Sequence, residues 1–303
     1  SLMIFYFFLQ YGLFYIISIF FLKWIVEHRS IELAQSLSLI FMIGQLIILD
    51  FLKNPFLIIV LAFFGAFSES FYWLPKHLVL GLFGQRRKVT QQWAFIETLN
   101  VIVSIIGPVL SAFFIKVFGY HNFFFIFSIV IILIALGGVK FFKKYCLFPD
   151  RHFRPRKEKL DFSLLFSLEG LWNAFYAIAG ILIFILTKDV LAFGGLTSLM
   201  AFSAVFINLL ISKRIDQKHD YALGSLGYLI RANIFTLIFL AMEPKAVALA
   251  MILFGITSPL VDPSFYGFFY NLVKKYGAGI VYHRALLLSS FRTFGFLLFL
   301  FFP

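Results

Sequence analysis

The chain has 303 residues, of which 62% are hydrophobic, 13% are charged and 45 are Phe, with a formal net charge of +12. Soluble globular chains run to about 45–50% apolar and about 25% charged residues, so this much apolar surface asks for lipid around it. Disorder, a disulfide scaffold (the one cysteine is Cys146) and a soluble enzyme are excluded.

A membrane-crossing helix needs about 20 mostly apolar residues. Ten stretches qualify. The first, 3–26, follows Ser1-Leu2-Met3, already apolar and without the basic start or cleavage site of a signal peptide, so the beginning reads as truncated or internal. The second is 31–49, and Lys53-Asn54-Pro55 marks a short hairpin to the third, 55–83, which carries Ser68, Glu69, Tyr72, Trp73, Pro75, Lys76 and His77. The fourth, 92–118, holds Glu97 and Gly107-Pro108, and the fifth, 122–142, offers only Ser128 in a wall of Phe, Ile and Leu. The sixth, 162–186, has Glu169, Trp172, Asn173 and Tyr176. The seventh is 190–211. The eighth, 221–242, contains Arg231, and Glu243-Pro244-Lys245 turns the chain into the ninth, 246–273, with Thr257, Ser258, Asp262, Pro263, Ser264, Tyr266 and Asn271. The tenth, 285–302, contains Arg292.

Basic residues gather between these stretches and not on one face, which argues against nucleic acid as a partner. Nineteen fall in the loops after the odd-numbered spans, counting Arg284 in the last, and four in the alternate loops. Cytoplasmic loops carry the Lys and Arg excess, so the odd loops are expected in the cytoplasm and both ends of the chain outside a cell membrane.

The chain also repeats itself. Glu27 with Ser36-Leu37 recurs 189 positions on as Asp216 with Ser225-Leu226; Phe64-Gly65 recurs as Phe254-Gly255, Pro75 as Pro263 and Gly107 as Gly295, all within one position of that offset. Two parallel halves follow, related by an axis along the membrane normal: residues 1–143, a basic cytoplasmic linker 144–161, and residues 162–303. Under the offset, the sixth span lacks a partner before the first, and the fifth lacks one after the tenth. The expected fold is all-α, with ten membrane helices visible in two pseudo-symmetric halves.

Three local motifs point to a family. Lys23-Trp24-Ile25-Val26-Glu27-His28-Arg29 and Ser212-Lys213-Arg214-Ile215-Asp216-Gln217-Lys218 keep the acid and the base of a Gly-x-x-x-Asp-Arg signature, without its glycine. Gly107-Pro108-Val109-Leu110-Ser111-Ala112 is similar to a Gly-Pro-x-x-Gly-Gly element, and Phe118-Gly119-Tyr120 to a short interhelical turn. With two six-helix halves as parent architecture, the chain resembles the major facilitator superfamily of secondary transporters, with the first and last family helices apparently lacking. The resemblance implies that spans three, six and nine line a central cavity, and these are the polar ones.

An ionisable group at membrane depth costs about 2.5–3.5 kcal/mol on insertion scales unless paired, hydrated or neutralised. From helical rise, Glu69 lies about 20 Å from the cytoplasmic edge, Asp262, Arg231 and Arg292 about 15–18 Å, and Lys76, His77, Glu97 and Glu169 about 10 Å. Glu97 is expected to meet Lys76 or His77, and Asp262 to meet Arg292 or Arg231. Glu69 has no basic residue at its own depth and is expected to be protonated when desolvated. Glu69, and after it Glu169, are therefore the proton-coupling candidates. The substrate cavity is expected to be lined by Glu69, Tyr72, Trp73, Glu169, Trp172, Asn173, Tyr176, Ser258, Asp262 and Tyr266. Glu27, Arg29, Asp216 and Arg214 are expected to form a cytoplasmic gate, and Pro75, Gly107, Pro108 and Pro263 hinges.

The expected function is a secondary active transporter that moves a small molecule by alternating access with proton coupling, as a monomer in lipid. No nucleotide-binding motif, metal-ligand cluster or cofactor motif is visible. A catalytic cluster near an interface, which a lipid-modifying enzyme would need, is missing from the pattern: five of the six histidines scatter over different loops. A receptor or assembly protein on a transporter scaffold is the alternative.

Overall fold

A computed structural model describes residues 2–51, 55–84, 88–142, 160–187, 190–218, 222–241 and 243–301. Nine α-helices account for nearly all of these: α1 (Leu2–His28), α2 (Ile31–Asp50), α3 (Pro55–Phe83), α4 (Val89–Phe142), α5 (Leu160–Thr187), α6 (Val190–Lys218), α7 (Ala222–Ala241), α8 (Pro244–Tyr276) and α9 (Gly279–Phe301). Long apolar runs become helices because a helix satisfies its own backbone donors and acceptors where water is absent. Tyr6–His28, Ile31–Asp50, Phe56–Phe83 and Thr90–Leu136 are long and apolar enough to cross a bilayer. Residues 144–159 of the expected linker lie outside the described residues.

Two element boundaries differ from the sequence reading. Spans four and five form one element, α4, whose backbone leaves helical values only at Gly119 (φ 78°, ψ 166°). The apolar run continues on both sides with no polar loop, so a single residue turns the chain; such dihedrals are open essentially to glycine alone. Nine helices therefore stand among the described residues where ten spans were expected. The second difference is at α9. Gly277 takes φ 88°, and Ile280 and Val281 donate back to the carbonyls of Gly277 and Ala278 at 3.3 and 2.9 Å. The helix thus starts at Gly279, and Arg284, counted above as a loop charge, becomes helical.

The chain divides into two compact units. The first comprises residues 1–79, 118–176 and 276–303. Its core includes Ile19, Leu22, Phe71, Leu78, Phe166, Ile280 and Phe296, each at most 2% exposed. In it α9 approaches α1 and α5 closely through small residues. A Cβ at Gly170 would strike the Leu288 carbonyl, and one at Gly295 would stand 2.7 Å from the Ala174 Cβ. Ser18 of α1 donates to Ser70 of α3 at 2.6 Å. Beyond Gly119, His121 Nδ1 lies 2.6 Å from Asp50 Oδ2 at the end of α2. The segment that follows presents Phe125, Leu133 and Leu136 outward, each more than 60% exposed.

The second unit comprises residues 80–117 and 177–275. Trp93, Val261, Phe269, Tyr270 and Val273 form its core. The Pro108 carbonyl would lie 3.0 Å from a Cβ at Gly194, so α4 and α6 are nearly in backbone contact there. Pro259 and Pro263 both lie inside α8, each removing one intrahelical hydrogen bond.

Candidate functional site

In the first unit the chemistry centres on α9. Arg284 and Arg292 stand eight residues apart, about 12 Å along the axis. Each meets a carboxylate from a different helix. Arg284 Nε donates to Glu169 Oε2 at 2.9 Å, and its Nη2 donates to Oε1 of the same group. The pair is bidentate, with side chains only 6% and 10% exposed. In such surroundings a charge-assisted double hydrogen bond is the arrangement that offsets desolvation.

Arg292 Nη1 donates to Glu69 Oε1 at 3.3 Å. The Tyr11 hydroxyl donates to the other oxygen of Glu69. The guanidinium carbon lies 5.2 Å from the Tyr11 ring centre and 4.9 Å from that of Tyr15, within cation–π range. Tyr11 and Tyr15 share one face of α1, four residues apart, so both rings reach the same cation.

These contacts correct the sequence reading at Glu69. It was expected to lack a basic residue at its depth, and the guanidinium of Arg292 is beside it. Depth along a helix axis carries an error of a turn, enough to hide a partner on another helix. Arg292 therefore serves Glu69. Arg284, Tyr11 and Tyr15 were missed. The signal for Arg284 was its eight-residue spacing from Arg292, which puts the two about 80° apart, within one broad helix face.

Other expected residues of the first unit cluster on α3. Lys76 Nζ lies 4.3 Å from the Trp73 ring centre and 5.9 Å from that of Tyr72. The His77 ring, buried, stacks on Trp73 at 5.8 Å. On α5, Asn173 Nδ2 donates to the Glu169 carbonyl at 3.0 Å. Trp172 is half-buried, and Tyr72 and Tyr176 are exposed. Near the end of α1, Glu27 pairs with Lys23 of its own helix at 3.9 Å, and Arg29 is exposed. The side chains of Arg214 and Asp216, the other half of the expected gate, lie outside the described residues.

In the second unit Arg231 of α7 is 3% exposed and reaches α8. Its Nη1 donates to Asp262 Oδ1 at 3.3 Å, and its Nη2 donates to Ser258 Oγ at 2.6 Å and to Asp262 Oδ2 at 3.4 Å. The guanidinium carbon sits 4.7 Å from the Phe254 ring centre. Of the two partners open to Asp262, Arg231 is the one used. Phe254, Ser258, Asp262 and Tyr266 recur every four residues, so they form one stripe on α8. Tyr266 stacks on Trp93 with ring centres 4.5 Å apart. Glu97 also belongs to this unit, where it accepts from Asn100 Nδ2 at 3.2 Å.

The hinge candidates divide by packing. Pro75 and Pro263 are buried inside α3 and α8. A Cβ at Gly107 would meet nothing within 4 Å, so the space beside the Gly-Pro pair is open.

The chain was compared with known proteins. The family model described as Major Facilitator Superfamily matches residues 1–303. No curated protein matches the chain.

Proposed function

The chain belongs to the major facilitator superfamily, and from that premise we propose that it is a secondary active transporter moving a small molecule by alternating access, driven by a proton gradient. Membership supports secondary transport in general. The observation that carries the finer reading is the pair of arginines on α9, each held by a carboxylate of another helix: Arg284 by Glu169 and Arg292 by Glu69. Ionised side chains in apolar helices are expensive and mark pathways or relays. Of the two pairs, Glu69–Arg292 is the looser, with one long hydrogen bond and a one-third exposed carboxylate. A proton on Glu69 removes the attraction that holds Arg292, so the pair is the switch and Glu69 the coupling carboxylate. Glu169, bidentate and nearly buried, is the second coupling candidate.

In this reading Tyr72 and Trp73 of α3, Trp172, Asn173 and Tyr176 of α5, and Ser258, Asp262 and Tyr266 of α8 line the substrate path. The two halves, 1–143 and 162–303, rock about it with Pro75, Pro263 and Gly107-Pro108 as hinges. Glu27, Arg29, Arg214 and Asp216 close the cytoplasmic side. The protein works as a monomer in the cell membrane, with the odd loops in the cytoplasm.

The test is uptake from a defined mixture of small metabolites into proteoliposomes of the full chain, with and without an acid-outside gradient. Uptake of at least one compound should quicken with the gradient, and Glu69→Gln should abolish that response while leaving exchange of internal for external substrate. Flux indifferent to the gradient in the wild type, and unchanged in Glu69→Gln, removes the proton reading.

A further inference from the structure

We infer that Arg292 is the receptor for a carboxylate, and that the transported substrate is an organic monocarboxylate. The guanidinium is committed on every side but one. Its Nη1 faces Glu69 at 3.3 Å, and the rings of Tyr11 and Tyr15 lie beside its central carbon. What remains is the side edge, Nε and Nη2. Both atoms are buried, and among the described residues neither has a hydrogen-bond partner. Together they carry three N–H donors on a permanently charged group.

Arg284 uses this edge differently. That guanidinium spends the same two nitrogens, Nε and Nη2, on both oxygens of Glu169. Arg292 presents the same edge on the same helix, and Glu69 touches it from the other end. Nε–H and one N–H of Nη2 run parallel, which is the geometry that receives a carboxylate bidentately. Buried donors of a cation without acceptors are costly, so such an edge is retained where an anion arrives to fill it.

Charge decides the number of carboxylates. The titratable and charged groups around this guanidinium are Tyr11 and Tyr15 from α1 and Glu69 from α3, with the Glu169–Arg284 pair of α5 and α9, and His77 and Lys76 of α3, further along. Each pair is neutral. One entering carboxylate makes the cluster negative unless Glu69 takes a proton, which also frees Nη1. Among the described residues no second cation contacts Glu69, Tyr11 or Tyr15, so a second carboxylate on the same ligand has none to meet there. Binding of one monocarboxylate is therefore coupled to uptake of one proton. The inference deepens the transport reading and rests on it for the ligand's role as cargo.

The experiment uses the purified full chain in detergent, with lactate and benzoate against lactamide and benzamide, and inorganic phosphate as a second oxyanion. The readout is the ligand concentration that half-saturates the shift in thermal unfolding midpoint. At least one carboxylate should stabilise the wild type saturably while its amide does not, and Arg292→Lys should weaken it by about tenfold or more, because an ammonium cannot offer two parallel donors. A response to phosphate alone assigns the edge to inorganic oxyanions and overturns the monocarboxylate. Amides acting as well as carboxylates, no carboxylate response, or an undiminished response in Arg292→Lys overturn the site. If Arg292→Lys does not fold, the wild type decides in weakly buffered solution near pH 7. Carboxylate addition should then take up about one proton per protein, and binding without proton uptake overturns the inference. Proteoliposome flux separates the two readings. Carboxylate binding without flux keeps the site and removes transport, whereas flux of neutral or cationic compounds undisturbed in Arg292→Lys keeps transport and removes the site.

Discussion

Glu169 and Arg284 form an enclosed ion pair, 10% and 6% exposed, and it sets the scale for single substitutions. Removing one partner leaves an uncompensated charge where water is scarce. Arg284→Met or Glu169→Leu alone is expected to cost about 3–5 kcal/mol, read as a fall in the unfolding midpoint in detergent. The double substitution should recover most of that loss, because two apolar side chains of similar volume replace a neutral pair. A double variant as unstable as the sum of the singles would show that the pair stabilises beyond cancelling its own charges. Arg231 makes a different arrangement: its guanidinium is 4% exposed while Asp262 is 40% exposed, so Asp262→Asn takes the carboxylate from a buried charge that keeps Ser258 and should cost about 1–3 kcal/mol.

Among the elements, α4 has two glycines, Gly107 and Gly119 of its four, with opposite roles. Gly119 holds φ 78° and ψ 166°, where an L side chain is strained, so Gly119→Ala should lower stability by about 1–3 kcal/mol. Gly107 is helical with open space at its Cβ position. Gly107→Ala should raise stability by up to about 1 kcal/mol, the ordinary difference in helix preference. If the Gly-Pro pair bends during transport, the same substitution slows flux despite the stability gain. Flux and stability rising together would leave α4 a rigid strut. At α9 the result should follow packing. Gly170→Ala drives a methyl group into the Leu288 carbonyl and is expected to cost about 1–3 kcal/mol.

For the whole molecule, the charge count assigns each loop a side. In a Cys146→Ser background, Glu243→Cys, between α7 and α8, should react with a membrane-impermeant thiol reagent added outside intact cells. Lys275→Cys, at the end of α8, should react only after the cells are opened. Both positions are exposed, so accessibility within the protein does not confuse the outcome. The reverse pattern, or equal labelling, would overturn the orientation drawn from the basic loops.

Composition and apolar run length determined the membrane class, the helical character and most helix bounds, because a chain in lipid must satisfy its backbone locally and every helix does so by itself. The polar stripes on α3, α5 and α8 were legible for a related reason: a charge in an apolar run stands out wherever its helix ends up. Pairing was not legible. Sequence spacing gives a residue's height along its own helix, with an error of a turn. It gives no rotation of that helix toward a neighbour and no distance between axes. Glu69 thus looked alone until α9 packed beside it, Arg284 looked like a loop charge until Gly277 started the helix early, and Tyr11 and Tyr15 looked like two more aromatics. Only the tertiary structure decided which acid met which base, because that choice depends on helix–helix contact between residues 115 and 223 positions apart.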